Sequence, residues 1–183
     1  MKAKVYACMA EGLEEVECLA AVDVMIRCGI DVKLISMTGE AVVTGSHGIK
    51  VVTDMLWEES DPDEADCIFL PGGMPGTKHL AEHKGLAEAL ERALGEERRV
   101  AAICAAPSVL GGLGFLRGKK ATCYPGFEDK LEGAECVHDG VVTDGLITTA
   151  RGLGFALDLG LELAGLLVGK ETAAEVKAAI QYE

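Results

Sequence analysis

The residues of this 183-residue chain best suited to chemistry are a cysteine, a glutamate and two glycines: Cys104, Glu17, Gly72 and Gly73. Cys104 ends the apolar run Val100-Ala101-Ala102-Ile103 and is followed by Ala105, Ala106 and Pro107. An unbroken apolar run suits a buried strand, small residues let two backbone segments approach, and proline's fixed φ suits the first turn of a helix. The spacing therefore predicts a strand-to-helix turn with Cys104 at its tip. There the positive end of a helix dipole would favour thiolate over thiol. Taken without its surroundings, the same cysteine reads equally well as a small buried hydrophobe.

Glu17 sits just past a loop bearing Glu11, Gly12, Glu14 and Glu15. Beside a thiolate in a partly dry pocket its carboxyl would keep its proton, because burial and a neighbouring anion both disfavour the charged form. It could then donate a hydrogen bond to sulfur and act as general acid or base. By position alone the simpler reading is one more solvated helix glutamate. Pro71-Gly72-Gly73-Met74-Pro75-Gly76 places no bulky side chain after its strand, so the Gly72 and Gly73 amides are candidates for an oxyanion hole. A turn that merely needs positive φ would use the same residues.

The four histidines offer little more. His79 and His83 have the spacing of a metal pair on one helix face, but no third ligand is evident, and no metal is expected. His47 lies in the turn Gly45-Ser46-His47-Gly48, and His138 precedes Asp139-Gly140, where an exposed hairpin residue is expected.

The elements that must position these residues follow from periodicity. Residues 5–9 read as a first strand, 14–28 as an amphipathic helix stopped by Gly29, and 31–36 as a second strand, a β-α-β order that implies parallel pairing. Residues 40–44 and 49–53 form two small strands outside the main sheet. Further strands are expected at 67–70, 100–103, 120–123 and 146–149. Helices are expected over most of 80–97 and at 107–113, 153–168 and 172–179. This alternation argues for one three-layer α/β domain over residues 1–183. Ligands in such a sheet bind beyond the carboxyl ends of the strands, where loops 10–17, 71–76 and 104–107 should meet.

Composition narrows the function classes. Seventeen Lys and Arg against thirty Asp and Glu leave a formal charge of −13, a field that repels phosphate backbones and favours a small substrate or protein partner over nucleic acid. The N-terminal residues enter a strand pattern without a long apolar stretch, so no membrane association and a cytoplasmic location are expected. The seven cysteines are scattered, without a Cys-x-x-Cys pair, and read mostly as reduced core residues.

Six segments in order along the chain carry a resemblance: Gly12-Leu13-Glu14-Glu15-Val16-Glu17, Val22-Asp23-Val24-Met25, Leu70-Pro71-Gly72-Gly73, residues 101–107 around Cys104, Asp144-Gly145-Leu146-Ile147-Thr148-Thr149 with Arg151-Gly152, and Val176-Lys177-Ala178. Together they resemble the ThiJ/PfpI superfamily, in the branch of the Parkinson disease protein deglycase. The resemblance implies a flavodoxin-like three-layer sandwich with a mostly parallel sheet, similar to class I glutamine amidotransferases. It also implies a homodimer, no cofactor, and a nucleophile-elbow Cys104 hydrogen-bonded by a protonated Glu17. The Gly73 and Ala105 amides would complete the pocket, and the thiolate would oxidise readily to sulfinate.

Activities implied are cofactor-free conversion of methylglyoxal to lactate, removal of early glycation adducts, and chaperone or oxidative-stress roles. The superfamily's thiazole-biosynthesis label finds no support in these residues. The chain departs from better-known members where a Thr-His-Pro segment is replaced by Cys123-Tyr124-Pro125. A phenol is a poor base at neutral pH, so Tyr124 is expected to donate a hydrogen bond, and a Cys-His protease reading weakens. His47 stands where a relative carries an arginine, which makes it, with Arg151, a candidate ligand contact.

Overall fold

The protein is described by a computed structural model over residues 2–183. Its elements in chain order are β1 (Lys4–Met9), α1 (Glu15–Arg27), β2 (Asp31–Ser36), β3 (Val42–Thr44), β4 (Lys50–Val52), β5 (Met55–Leu56), β6 (Cys67–Leu70), α2 (Gly76–Glu82), α3 (Lys84–Gly95), β7 (Arg99–Ile103), α4 (Pro107–Gly112), β8 (Lys120–Ala121), β9 (Glu135–Cys136), β10 (Val141–Asp144), β11 (Ile147–Ala150), α5 (Ala156–Val168) and α6 (Lys170–Ala179). The main sheet has strand order β10-β11-β7-β6-β1-β2-β5. All its neighbours are parallel except β10, which runs antiparallel to β11.

Alternation along the central strands feeds two cores. Val5, Ala7 and Met9 of β1, with Phe69, Ala101 and Ile103, face one side and pack on Cys18, Ala21 and Met25 of α1 and Leu159 and Leu163 of α5. Tyr6, Cys8, Ile68, Leu70, Val100 and Ala102 face the other side, against Leu80, Leu86, Leu90 and Leu110 of α2, α3 and α4. The result is the expected flavodoxin-like sandwich of three layers. At the carboxyl ends of β1, β6 and β7 the three expected loops converge: Glu14 N–H donates to Gly72 C=O at 2.9 Å, and Gly76 N–H to Gly12 C=O at 3.1 Å.

Three expectations need correction. The 80–97 stretch is two helices that begin earlier, at Gly76, and break at His83. His83 Nδ1 accepts from Leu86 N–H at 3.0 Å as the cap of α3, so His79 and His83 do not share a helix face. The 120–123 strand is shorter than expected and pairs with β9 in a separate two-stranded sheet. The sheet also has an antiparallel edge that periodicity did not reveal, because β10 reaches β11 through a turn whose Gly145 has φ of +64°.

Candidate active site

Cys104 follows β7 directly and adopts φ of +64°, the left-handed region that an L residue enters at a cost of about 1–3 kcal/mol. The strained turn is held from both sides. Cys104 N–H donates to Ala150 C=O at 2.9 Å, and Tyr124 N–H donates to Cys104 C=O at 2.8 Å. Ala106 N–H closes the turn on Ile103 C=O at 3.0 Å, and Pro107 opens α4. This is the predicted strand-turn-helix elbow, with the thiol half-buried at its tip.

Glu17 comes to the same point from α1. Glu14 caps that helix, its Oε2 accepting from Glu17 N–H at 2.6 Å, and the first turn then carries Glu17 inward until it is 1 % exposed. The reading of Glu17 as a solvated helix residue is thereby overturned. Its carboxyl faces the Cys104 thiol and the amides of Gly72 and Leu153. Among the described residues Oε2 has no hydrogen-bond partner of ordinary geometry.

The two glycines differ in what they do. A Cβ on Gly72 would lie 2.4 Å from Glu17 Oε2 and 2.5 Å from Cys104 Cβ, so only glycine lets the carboxyl and the elbow close on each other. Gly73 has φ of +87°, and a Cβ there would meet Glu14 N at 2.2 Å. The Gly73 and Ala105 amides face the sulfur, whereas the Gly72 amide faces Glu17. Of the candidate amides, then, the two that the resemblance implies, Gly73 and Ala105, are the ones that reach the sulfur, and Gly72 serves the carboxyl instead.

The electrostatics also differ from a simple helix-dipole thiolate. Burial, then the charge of Glu17 and its hydrogen bond, push the Cys104 thiol up to about 12. Burial first, with a contribution from Glu14, pushes Glu17 up to about 7. Two acids facing each other in a dry pocket resist ionising together, so below about 7 both keep their protons and above it the pair carries a single negative charge. Where that charge sits depends on the donors and charges around each member.

Residues 3–166 match the pattern of the DJ-1/PfpI family. The chain belongs to the DJ-1/PfpI family. It is 41 % identical over 175 residues to the protein named DJ-1 homolog B of Arabidopsis thaliana, covering 94 % of this chain but 40 % of that one, so it spans less than half the length of that relative. It is 34 % identical over 144 residues to a protein named a deglycase from Pyrococcus abyssi, covering 78 % of this chain and 86 % of the other. The crystal structure of DJ-1beta from Drosophila melanogaster superposes with a TM-score of 0.96 at 33 % identity over all of both chains.

In this DJ-1/PfpI protein the remaining candidates lie at different removes from the thiol. Tyr124 is half exposed, and its ring edge and Glu17 Oε1 bracket Gly152, at 3.4 and 3.9 Å from where a Cβ would stand. Arg151 shares a shallow cavity of about 290 Å³ with Tyr124, Pro125 and residues 152–155, and donates to His138 C=O at 3.4 Å. His47 stays on its exposed turn, where its Nδ1 lies 2.8 Å from Glu15 Oε2 and its N–H donates to Glu15 Oε1 at 2.8 Å. Its Nδ1 is thus engaged by Glu15, while the rest of the ring stays exposed.

Glu14, Glu15 and His47 bring their ligating atoms within 4.8 Å of one another. The Glu15 oxygens and Glu14 Oε2 already accept hydrogen bonds, so the group forms a network that ties the β3–β4 turn to the head of α1. Two contributors escaped the sequence reading. The Leu153 amide left no signal at all, while Glu14 was legible only as a carboxylate three residues before Glu17, the spacing of a helix cap. Among the described residues no helix is long and apolar enough to cross a membrane.

Proposed function

We propose that this protein is a cysteine-dependent enzyme that converts small reactive dicarbonyls such as methylglyoxal to hydroxy acids, with Cys104 as nucleophile and Glu17 as general acid and base. The observation that carries the reading is the meeting of a fully buried carboxyl with a half-exposed thiol on a strained turn. Perturbed, mutually facing titratable groups at the mouth of a sheet are the arrangement acid–base chemistry requires.

Sulfur in its thiolate form attacks the aldehyde carbon, and the alkoxide so formed meets the Gly73 and Ala105 amides. The alkoxide takes a proton to give a hemithioacetal. Glu17, now ionised, removes the proton on the former aldehyde carbon, and a proton returns to the adjacent carbon. This internal redox exchange leaves a thioester of the hydroxy acid. Water hydrolyses the thioester, releases lactate from methylglyoxal and restores the thiol. Methylglyoxal plus water balances to lactic acid, with no external oxidant or reductant. A Schiff-base or hemithioaminal adduct of the same carbonyl would enter by the same face, which accommodates the deglycase name of the archaeal relative.

Lactate formation from methylglyoxal without added thiol tests the reading. Cys104→Ala should abolish it, and Glu17→Ala should lower it at least a hundredfold. Unchanged turnover in either folded variant would overturn the assignment. A second reading rests on the half-exposed position of the same thiol, which leaves it open to peroxide and so to a sensor or chaperone role. Peroxide modification of Cys104 that leaves both aggregation protection and partner binding unchanged would dismiss it.

We further propose a homodimer. Exposed apolar side chains, Val16 of α1, Ile49 and Val52 of the β3–β4 hairpin, and Leu153 and Phe155, occupy segments next to the site. A monomeric mass by light scattering at micromolar concentration would refute this assembly.

A further inference from the structure

We propose that Arg151 and the cavity beside it form a carboxylate subsite, and that the site prefers 2-oxoaldehydes bearing a carboxylate two methylenes beyond the ketone. The inference deepens the function argued above and rests on it for the reaction, though not for the binding of the carboxylate.

Arg151 reaches the site through the sheet. Strands β7 and β11 run parallel with Ala150 beside Ile103, so Arg151 and Cys104 come next in register and leave the sheet side by side. Cys104 N–H donates to Ala150 C=O at 2.9 Å, which fixes that juxtaposition. Adjacent strands lie about 5 Å apart, so the two residues start within the length of one small molecule.

The cavity of about 290 Å³ lined by Arg151, Tyr124, Pro125 and residues 152–155 begins at that junction. Its Tyr124 wall is tied to the elbow, since Tyr124 N–H donates to Cys104 C=O at 2.8 Å. Its Gly152 wall borders the acid: a Cβ there would stand 3.4 Å from the Tyr124 ring and 3.9 Å from Glu17 Oε1. With only a hydrogen at Gly152, that space stays open between the carboxyl of Glu17 and the cavity.

The cation in this cavity is uncommitted. Arg27, Arg92, Arg98 and Arg117 each pair with a carboxylate at 2.6–3.2 Å, whereas Arg151 has no such partner among the described residues. Acids outnumber bases thirty to seventeen, so a missing partner is not a shortage of carboxylates. The hydrogen bond of its guanidinium to His138 C=O is long, at 3.4 Å. Glu128, which senses the Arg151 charge, accepts from Gly126 N–H at 2.7 Å instead.

A guanidinium offers two parallel N–H donors that match the two oxygens of a carboxylate. No lysine or second arginine lines the cavity, so its charge matches a monoanion better than a phosphate dianion. Leu153, Phe155, Pro125 and the Tyr124 ring supply an apolar wall for the methylenes. Methylglyoxal, which ends in a bare methyl group, leaves all of this unused. The reaction itself is unchanged: the carboxylated 2-oxoaldehyde plus water gives a 2-hydroxy dicarboxylate by the same internal exchange, and the added carboxylate takes no part in it.

Two aldehydes of equal length separate the charge from the chain. One is 4,5-dioxopentanoate, which carries the carboxylate, and the other is 2-oxopentanal, which ends in a methyl group. The ratio of their kcat/KM values is measured for the wild type, Arg151→Gln and Arg151→Lys. The wild type should prefer the carboxylate by about tenfold or more, the scale of hydrogen bonds to a charged group, and Arg151→Gln should erase the preference. Arg151→Lys keeps the charge without the fork and should retain only part of it. Because both substrates meet the same protein, a general loss of folded enzyme cancels in the ratio. Binding is read separately by saturation-transfer NMR with 4-oxopentanoate, the same skeleton without the aldehyde, and 2-pentanone as its neutral control. The wild type should bind the first far better than the second, and Arg151→Gln should not.

Equal kcat/KM for the two aldehydes in the wild type would overturn the subsite, and a second copy of the chain seated in the cavity would give that result. A preference that survives in Arg151→Gln would overturn it as well. If neither aldehyde turns over while 4-oxopentanoate still binds through Arg151, the enzymatic reading fails and the subsite stands. If 4-oxopentanoate binds no better than 2-pentanone, the subsite fails whatever methylglyoxal does.

Discussion

Two glutamates lie two residues apart at the head of α1, both almost fully buried, and they end in opposite chemical states. Glu15 turns to the β3–β4 hairpin. Burial pushes its carboxyl up, but the His47 hydrogen bond and the backbone amides of Glu15, His47 and Ile49 outweigh that and hold it below the ordinary carboxylate range. Glu17 turns to the elbow, where it finds a thiol, two amides and the charge of Glu14, and there burial wins. Burial is common to both sites, so burial does not decide the charge. The number and kind of donors do, and a cationic partner is the largest single difference.

The sharpest way to break this comparison is to remove the proton from Glu17 chemically. Glu17→Gln should lower kcat about 10²–10⁴-fold, the usual scale of a lost general acid–base group, while leaving labelling of Cys104 measurable. The same variant should change the pH dependence of folding. A carboxyl raised from 4.5 to about 7 binds its proton more tightly folded than unfolded. Its contribution is therefore fully present below about 4.5 and lost as pH rises through about 7, amounting to about 3 kcal/mol. Urea denaturation at pH 5 and pH 8 should show that fall in the wild type and not in Glu17→Gln. Equal slopes would mean that Glu17 is ionised in the native state like Glu15.

Gly72→Ala tests the closeness that makes the two sites differ. A methyl group 2.4 Å from Glu17 Oε2 and 2.5 Å from Cys104 Cβ has to push the carboxyl and the elbow apart. Turnover should fall about a hundredfold, since small misplacements at a reacting centre carry large penalties. Thermal unfolding should move only by a few degrees, because the loop lies at the sheet mouth and not in either core. Turnover within about threefold of wild type would show that the Glu17–Cys104 approach is not needed.

Much of this was legible in the chain, and the omissions have a common cause. The elbow is local: four apolar residues, a cysteine and a proline three residues later specify strand, turn and helix with little help from elsewhere. Helix α1 is bounded within one residue for the same reason, by Glu14 as cap and Gly29 after its end. What escaped depends on partners far along the sequence. The Glu15–His47 pair spans thirty-two positions, and neither residue signals the other. Strand β10 is half-buried throughout, with no clean alternation to mark it. The break at His83 hides inside a helical pattern because a histidine cap has weak propensity and acts only once its ring reaches Leu86.

On the Glu15 side a smaller effect is expected, and it should fall on stability rather than turnover. Glu15→Ala deprives the His47 amide and ring of their acceptor and should cost about 1–3 kcal/mol, read as a lower urea midpoint with unchanged slope. The sign with pH is opposite to that of Glu17. A carboxyl lowered in the folded state contributes above its ordinary value and loses that contribution as pH falls through the folded one. The raised His47 contributes below its ordinary value and loses that as pH rises. The wild type should thus lose stability towards acid by an amount that Glu15→Ala does not. A hundredfold drop in turnover instead would place Glu15 in the chemistry.

The smallest effect is expected at Tyr124, which stands where the resemblance leads one to expect a histidine. What Tyr124 supplies to the elbow is its backbone N–H, 2.8 Å from Cys104 C=O, and that bond is indifferent to the side chain. Its ring packs by an edge at Gly152, and half of the residue faces solvent. Tyr124→Phe keeps both the amide and the ring and removes only the hydroxyl. Turnover and the thiolate content of Cys104 should stay within about threefold of wild type, with any change confined to KM for larger carbonyls that reach the Arg151 cavity. A fall in kcat of a hundredfold or more, with the fold intact, would show the phenol moving protons. The division of labour along α1 would then have to give Glu17 a partner across the pocket.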